Sequence, residues 1–217
     1  MWYTYLFFES SFFFFCKASV DFWRSIYFSN SVSGQCTLNG VYGYDCYSTY
    51  TSGSLTSKNY VNYSSIVRCI NVNSKSSYTL ALQNGNLSMN KCYFRTGIYY
   101  YPYVDSYSIT GSLLYSTVAD HIITDYNCIH FTRGGANYEM KSCNILRNTQ
   151  GTLGTEGTIS TSGNLVIENC CILDNKATYV FYSSSSSYTI TLSNCTVDSP
   201  SSNINIKTQN TISKSFK

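Results

Sequence analysis

The chain has 217 residues, of which 12% are charged and 17% aromatic, and its formal net charge is +3. Its 14 basic and 11 acidic residues are scattered without blocks. A nucleic-acid-binding protein usually carries a clustered basic stripe, so we expect no nucleic-acid partner. The 22 tyrosines and 12 phenylalanines, together with many Ser, Thr and Asn residues, favour strands over helices. The composition therefore predicts an all-β protein.

Residues 1–35 form an aromatic N-terminal segment or cap. Its longest uninterrupted apolar run extends only from Phe12 to Cys16, and Glu9 interrupts the approach to that run. A membrane-spanning helix needs roughly 20 apolar residues, so the sequence predicts no transmembrane segment. A secretory signal has a positive start and an apolar stretch of about 7–15 residues, and neither is cleanly present. A degenerate signal and a hydrophobic first turn are the two alternatives for this segment.

A short pattern recurs along the rest of the chain. It reads apolar, any residue, apolar, two further residues, then Cys, and its four clear copies end at Cys92, Cys143, Cys170 and Cys195. We interpret these cysteines as a structural ladder. The long gap before Cys143 predicts one more copy at 113–118, with Val118 in the Cys position. Cys46 and Cys69 are predicted to mark two earlier, degenerate copies.

The recurrence predicts a repeat architecture. About seven copies with a period of roughly 25 residues are typical of a solenoid. The apolar positions alternate with period two, which indicates strands rather than helices. Parallel strands would then stack their apolar side chains into one continuous core. We predict a single right-handed parallel β-helix, or β-solenoid, with repeats over 36–205 and a C-terminal tail over 206–217.

The residues around each Cys suit the bends of such a coil. Cysteine is small and weakly polar and fills a tight buried corner. Asn148 and Asn175 are candidate corner residues because an Asn side chain can bond turn backbone. Cysteines stacked in register have parallel Cα–Cβ vectors, a poor geometry for a disulfide, so the ladder is predicted to hold free thiols. The sequence leaves pairing open for Cys16, Cys36, Cys46 and Cys128.

Three segments are similar to the F-x-x-N and G-G-A-I elements of polymorphic-membrane-protein repeats: Cys143–Asn148 (CNILRN), Cys170–Asn175 (CCILDN) and Arg133–Ala136 (RGGA). Ile stands in place of Phe, and Gly-Gly-Ala occurs once. Over 60–200 the chain thus resembles right-handed parallel β-helix proteins of the adhesin type, and among them the trichomonad family of surface proteins. The resemblance implies a cell-surface or secreted location, an adhesive role and no catalytic residues or cofactor defined by the family.

The first functional hypothesis is a non-catalytic surface or secreted protein that binds a carbohydrate or a host or cell-surface protein, with its oligomeric state open. Exposed tyrosine rings suit both kinds of partner. The candidate recognition loop contains Tyr99, Tyr100, Tyr101 and Tyr103. A related hypothesis is that the chain is a fragment of a longer surface protein and has no activity of its own.

Three N-x-S/T sequons, at Asn62, Asn86 and Asn194, are candidate glycosylation sites if the chain is secreted. Asn194 is followed by a ladder cysteine at a predicted bend. We therefore expect this asparagine to lie too close to the core to carry a glycan.

The alternative function is enzymatic, because β-helices of the pectin-lyase type include polysaccharide lyases and glycoside hydrolases. Glycoside cleavage usually needs two carboxylates. The notable concentration of titratable residues is the segment that contains Asp120, Asp125, His130 and Arg133. The Asp-Asp and His-Gly patterns of pectin-degrading hydrolases are missing from the sequence, so a polar loop explains the segment without catalysis. Zinc-ligand spacing is missing too, and no metal or cofactor is predicted.

Overall fold

The computed structural model describes residues 5–9, 12–14, 26–29, 35–40, 42–44, 49–52, 58–63, 65–67, 80–83, 86–90, 93–95, 102–105, 110–120, 122–123, 127–131, 136–150, 157–198 and 200–213. Within these residues the chain forms strands, bends and turns, and no helix. The prediction of an all-β protein is confirmed for this part of the chain.

The strands are short, from two to five residues, because the chain bends soon after each one. In chain order they are β1 (Tyr5–Glu9), β2 (Phe12–Phe14), β3 (Ile26–Ser29), β4 (Gln35–Asn39), β5 (Tyr42–Tyr44), β6 (Thr49–Ser52), β7 (Lys58–Asn62), β8 (Ser65–Val67), β9 (Leu80–Gln83), β10 (Asn86–Asn90), β11 (Tyr93–Arg95), β12 (Pro102–Asp105), β13 (Thr110–Leu114), β14 (Thr117–Ala119), β15 (Ile122–Ile123), β16 (Ile129–Phe131), β17 (Asn137–Lys141), β18 (Asn144–Leu146), β19 (Thr149–Gln150), β20 (Ile159–Thr161), β21 (Asn164–Glu168), β22 (Cys171–Leu173), β23 (Phe181–Ser183), β24 (Ile190–Ser193), β25 (Thr196–Val197), β26 (Lys207–Gln209) and β27 (Ile212–Ser213).

Three long sheets contain almost all of these strands. Sheet A has the order β1-β4-β7-β10-β13-β17-β21-β24-β26, sheet B the order β2-β5-β8-β11-β14-β18-β22-β25-β27, and sheet C the order β23-β20-β16-β12-β9-β6-β3. A small fourth sheet joins β15 to β19. The described strand pairs are parallel. Strands that pair in a long sheet are therefore separated along the chain by strands of the other sheets.

Equivalent side chains stack on one another across each sheet. In β21, buried Leu165 and Ile167 alternate with exposed Asn164 and Val166, as expected for a sheet with one face in the core. The register continues this alternation from strand to strand. In sheet B it aligns four side chains that are at most 1% exposed: Val118, Ile145, Ile172 and Val197. Burial of such columns supplies the apolar core.

The cysteine ladder lies where the chain leaves sheet A and enters sheet B. Cys143, Cys170 and Cys195 are buried, free thiols. Each Sγ donates to the carbonyl two residues earlier, at 3.3, 3.3 and 3.2 Å respectively. The prediction of buried free thiols is confirmed for these three residues. Cys92 lies outside the described residues, and Cys128, for which pairing was left open, is also buried and free.

The prediction that Val118 occupies the Cys position is wrong. Strand β14 pairs with β18 so that Val118 lies beside Ile145 and joins the apolar column of sheet B. The residue equivalent to Cys143 is Ser116, which is fully buried. Its Oγ donates to the Leu114 carbonyl at 2.7 Å, the same bond that the thiols make. A hydroxyl fits this bend because it is small and donates in the same direction.

The predicted copies at Cys46 and Cys69 are also wrong. Strand β10 pairs with β7 so that Asn90 lies beside Asn62, and Tyr93 of β11 lies beside Ser65 of β8. The position equivalent to Cys92 thus falls between β7 and β8 rather than at Cys69. The pairing of β4 with β7 and of β5 with β8 places the equivalent position between β4 and β5. Cys46 comes after β5 and therefore does not occupy it.

The sequence predicted that residues 1–35 and 206–217 lie outside the repeats, but both segments contain strands. Strand β1 pairs with β4 in sheet A, although it lies in the segment assigned to a cap. Strands β26 and β27, in the segment assigned to a tail, pair with β24 and β25. The described parts of both end segments therefore contribute strands to the same sheets as the strands of residues 36–205.

Candidate functional site

The residues predicted for an enzyme site are placed as follows. Asp120 follows β14 at a bend, with φ 59°. Its carboxylate accepts two hydrogen bonds from Arg147, from Nε at 2.7 Å and from the terminal guanidinium nitrogen Nη2 at 3.1 Å. Arg147 directly follows β18, the strand that pairs with β14, and it holds Asp120 in a bidentate surface ion pair. Asp125 and Arg133 lie outside the described residues.

His130 lies on sheet C, away from the strand that leads to Asp120. It is in β16, in register with Tyr103 on one side and Ser160 on the other. Burial lowers the pKa of His130 to about 4, so the imidazole is neutral at pH 7. Asp120 thus follows a strand of sheet B, whereas His130 lies within a strand of sheet C.

The predicted recognition loop is described only at Tyr103, which lies within β12 and is paired there with Ala81 and His130. Tyr99, Tyr100 and Tyr101 lie outside the described residues. The prediction for this loop therefore stays a prediction, with Tyr103 placed in a strand.

The sequons fall at different places in sheet A. Asn62 ends β7 and is half-buried, and Asn86 begins β10. Asn194 follows β24 in a left-handed conformation, with φ 52°, and is exposed. The expectation that Asn194 lies too close to the core is wrong, because the left-handed bend leaves this residue exposed while Cys195 points inward.

A row of left-handed residues runs along the edge where the strands of sheet A end. We call it the corner row; its described members are Gly40, Tyr63, Tyr115, Ser142, Asn169, Asn194 and Asn210. The bend is fixed by backbone bonds between turns: the amide of Tyr115 donates to the Lys141 carbonyl at 2.8 Å, and that of Asn169 to the Ser193 carbonyl at 3.0 Å. The bend after each of these strands therefore has the same left-handed conformation, whichever residue occupies it.

Two tyrosines in the corner row contradict the usual residue preference. Gly and Asn adopt positive φ readily, whereas a bulky side chain does so at a cost. Tyr63 and Tyr115 nevertheless have φ of 50° and 47°. Both remain in water, with 52% of Tyr63 and 60% of Tyr115 exposed. Core burial therefore does not explain why tyrosine occupies these two bends.

The two tyrosines occupy equivalent positions two strands apart. Asn62 of β7 pairs with Asn90 of β10, and Asn90 pairs with Leu114 of β13. Tyr63 and Tyr115 directly follow the first and last of these residues. Neighbouring strands are about 4.8 Å apart, so the two backbones lie roughly 10 Å apart along the edge of the sheet. The residue between them, Lys91, lies outside the described residues.

A shallow groove of about 580 Å³ lies on the outer face of sheet A. On β13 it is lined by Gly111, which has no side chain, and by Ser112, whose side chain is short. Longer side chains of β17 and β21 form the rest of its lining, including Glu139, Lys141, Val166 and Glu168. The difference in side-chain length between neighbouring strands creates the depression. Val166 contributes an apolar patch, since it is 44% exposed.

Lys141 joins the charged groups of the groove. Its Nζ lies 3.0 Å from Oε2 of Glu139 and 3.8 Å from Oε2 of Glu168. The hydrogen bond and charge of Glu139, followed by the charge of Glu168, raise the pKa of Lys141. Tyr115 adjoins Lys141 through the backbone, because its N–H donates to the Lys141 carbonyl at 2.8 Å. The groove and Tyr115 thus form one continuous surface, which we call the tyrosine–groove surface, with Tyr63 further along the same edge.

This surface can donate and accept hydrogen bonds and can also offer aromatic and aliphatic contacts. Sequence reasoning missed it because the corner row is recognisable only once the strand register is known. A signal was nevertheless present: Tyr115 directly precedes Ser116, just as Ser142 and Asn169 precede ladder cysteines.

Comparison with known proteins yields no relative: no family model matches the chain, and neither a curated protein nor a solved structure is significantly similar to it. In the ranges that the structure describes, no group of three or more His, Cys, Asp or Glu side chains could hold a metal ion. A search of the same ranges finds no helix of the length and hydropathy needed to cross a membrane.

Proposed function

We propose that the chain is a right-handed parallel β-helix whose successive turns each give one strand to sheets A, B and C. The stacked columns of buried side chains and the shared bends of the corner row support this architecture. The right-handed sense follows from a general rule, since about 98% of crossovers between parallel strands of one sheet are right-handed. The similarity of CNILRN and CCILDN to adhesin-type repeats supports placement among surface β-helix proteins such as the trichomonad family.

For the function, we propose non-catalytic binding to an extended partner, by a protein that is displayed at the cell surface or secreted. The observation that carries this proposal is the pair of exposed tyrosines held at positive φ on one edge of sheet A, of which Tyr115 adjoins the charged groove. The bend holds Tyr63 and Tyr115 in a conformation that costs a bulky residue free energy. Both side chains are more than half exposed, so both rings present a large surface to solvent.

A polysaccharide lyase or glycoside hydrolase in the Asp120–Arg133 region is less well supported. Both carboxylate oxygens of Asp120 accept hydrogen bonds from Arg147, so this group is engaged in a structural ion pair. His130 belongs to a different sheet and is neutral at pH 7. Fold alone is no reason to assign an activity, since one fold hosts many functions.

The test combines binding and cleavage in the same samples. The purified chain is incubated with immobilised polysaccharides and with a panel of cell-surface glycoproteins, and retained protein is measured together with newly released sugar ends. We expect retention without release. Release of sugar ends by the wild type, abolished in Asp120→Asn, would instead establish the enzymatic alternative. Failure to bind any polysaccharide or glycoprotein would contradict the proposed function.

A further inference from the structure

We infer that the partner of the tyrosine–groove surface is a neutral, extended, β-linked polysaccharide that stacks on Tyr63 and Tyr115. The inference rests on the binding function proposed above and adds the chemistry of the ligand. It is argued from the exposure of the rings, their spacing, the polar residues that continue the row and the charge of the groove.

The ring exposure indicates a flat partner with apolar faces. A pyranose ring presents C–H groups on its faces and hydroxyls around its rim, which complements an aromatic face bordered by polar groups. Tyrosine combines an apolar ring with a polar tip and suits such a contact. Tyr63 and Tyr115, which are 52% and 60% exposed, offer two separate stacking positions rather than the contiguous apolar core that marks a protein–protein interface.

The distance between the two tyrosines favours an extended sugar chain as the partner. The two backbones are roughly 10 Å apart, because two strand spacings separate them. That length is close to one disaccharide of an extended β-linked hexose polymer, in which every second sugar presents the same face. A chain running along the corner row, across the strands of sheet A, can therefore stack two of its sugars on the two tyrosines.

Polar side chains continue the row beyond Tyr115. Ser142, Asn169 and Asn194 occupy the next three bends, and both asparagines are exposed. Their amide and hydroxyl groups can donate and accept hydrogen bonds with sugar hydroxyls. The corner row thus provides stacking at one end and hydrogen bonding along the rest of its length.

The charges favour a neutral polymer over an acidic one. The groove beside Tyr115 holds two carboxylates, Glu139 and Glu168, against one ammonium group, Lys141. Carboxylates therefore outnumber the ammonium group within the groove, and they disfavour uronate, sulfate or phosphate groups where a polymer passes over it. Carboxylates are hydrogen-bond acceptors, so the same groups can bind the hydroxyls of a neutral sugar.

The experiment measures affinity by titration calorimetry for neutral β-linked glucan oligosaccharides of increasing length. Tyr63→Asn and Tyr115→Asn remove one ring each while keeping the residue type that other bends of the row already use, so both variants are expected to fold. Tyr115→Phe keeps the ring and removes the hydroxyl. Tyr188→Asn, which changes a half-buried tyrosine outside the corner row, is the matched control.

We expect affinity to rise with oligosaccharide length until the chain spans both tyrosines. Loss of either ring should then weaken binding by up to about tenfold, as expected for one aromatic stacking contact. Tyr115→Phe and Tyr188→Asn should bind like the wild type. Polysaccharide binding that is unaffected by both Asn variants would overturn the inference while leaving the binding function intact. Binding restricted to glycoproteins, or stronger binding to acidic polysaccharides, would overturn it as well.

Discussion

Replacing Asn175 with Ala tests the buried asparagine ladder at the bend that follows sheet B. Asn175 Oδ1 accepts hydrogen bonds from the backbone N–H of Asn148 at 3.1 Å and from its Nδ2 at 2.8 Å. Asn175 Nδ2 donates to the Ile145 carbonyl at 2.8 Å. Both asparagines are buried, with 1% of Asn148 and 8% of Asn175 exposed. The bonds connect the bends that follow two paired strands, β18 and β22, so they bear directly on how neighbouring strands of sheet B are held together.

The expected loss follows from these three bonds. A buried hydrogen bond contributes about 1 kcal/mol net, and a buried N–H left without a partner costs about 1–3 kcal/mol. Asn175→Ala removes all three bonds and leaves the backbone N–H of Asn148 without this acceptor, whereas Asn148 Nδ2 keeps its bond to the Val118 carbonyl at 3.2 Å. We expect the free energy of unfolding to fall by about 3–5 kcal/mol, near the upper end of single-residue effects. In a double-mutant cycle, Asn148→Ala and Asn175→Ala should show coupling of about 1 kcal/mol.

The assay is urea unfolding followed by circular dichroism, with the slope m compared between variants. Asn144→Ala is the matched control, because Asn144 is exposed and a surface change of this kind should alter stability by less than about 0.5 kcal/mol. If Asn175→Ala were no more destabilising than this control, the buried ladder would not contribute to stability and the reasoning would be refuted.

Three further predictions concern the cysteine ladder and two titratable groups. Cys170→Ser should change the free energy of unfolding by less than about 1 kcal/mol, because Ser116 makes the equivalent hydrogen bond. Cys170→Leu should lower the free energy of unfolding by about 1–3 kcal/mol, because the larger side chain overpacks the bend. Urea unfolding of both variants measures the difference. The hydrogen bond with Cys143, together with burial, raises the pKa of Cys170 to about 12, so the unfolded chain ionises first. Stability should therefore fall as pH rises above about 8.5, the pKa of a free thiol, and Cys170→Ser should reduce that slope in urea midpoints measured at successive pH values. The pKa of His130 is about 4 in the folded chain, whereas an unperturbed histidine has a pKa of about 6.5. The free energy of unfolding should therefore fall as the pH decreases from about 6.5 to about 4. If His130→Gln left this pH dependence unchanged, the assignment to His130 would be contradicted.

The alternation of apolar residues was sufficient to predict an all-β chain, and the local pattern around Cys143 and Cys170 was sufficient to predict buried thiols. The same pattern misplaced the Cys position of the preceding turn by two residues, at Val118 instead of Ser116. Side chains two residues apart in a strand point to the same face, so a shift of two preserves the inside–outside alternation. Periodicity alone therefore cannot separate these two registers, whereas the strand pairing does.

The candidate site was less accessible to sequence reasoning. The tyrosine-rich run at 99–103 predicted a recognition loop, whereas no local sequence pattern distinguishes Tyr63 and Tyr115 from the other tyrosines. What distinguishes these two is the positive φ that the bend imposes, and this depends on backbone bonds between turns. The prediction that Cys46 and Cys69 occupy the ladder position failed for a related reason. The segments between sheets vary in length, so a regular spacing of cysteines need not mark equivalent positions.

Both proposals depend on the stacking of successive turns, and one distance tests it most directly. Tyr63 and Asn194, two exposed members of the corner row, are each replaced by a noncanonical residue that carries a spin label. Pulsed electron paramagnetic resonance then measures the distance between the two labels. Five strand spacings of sheet A, from β7 to β24, lie between them. We predict a narrow distribution centred on a backbone separation of about 24 Å, after allowance for the label arms. A broad distribution, or a separation well outside that value, would contradict the stacked β-helix and with it the ligand row along its edge.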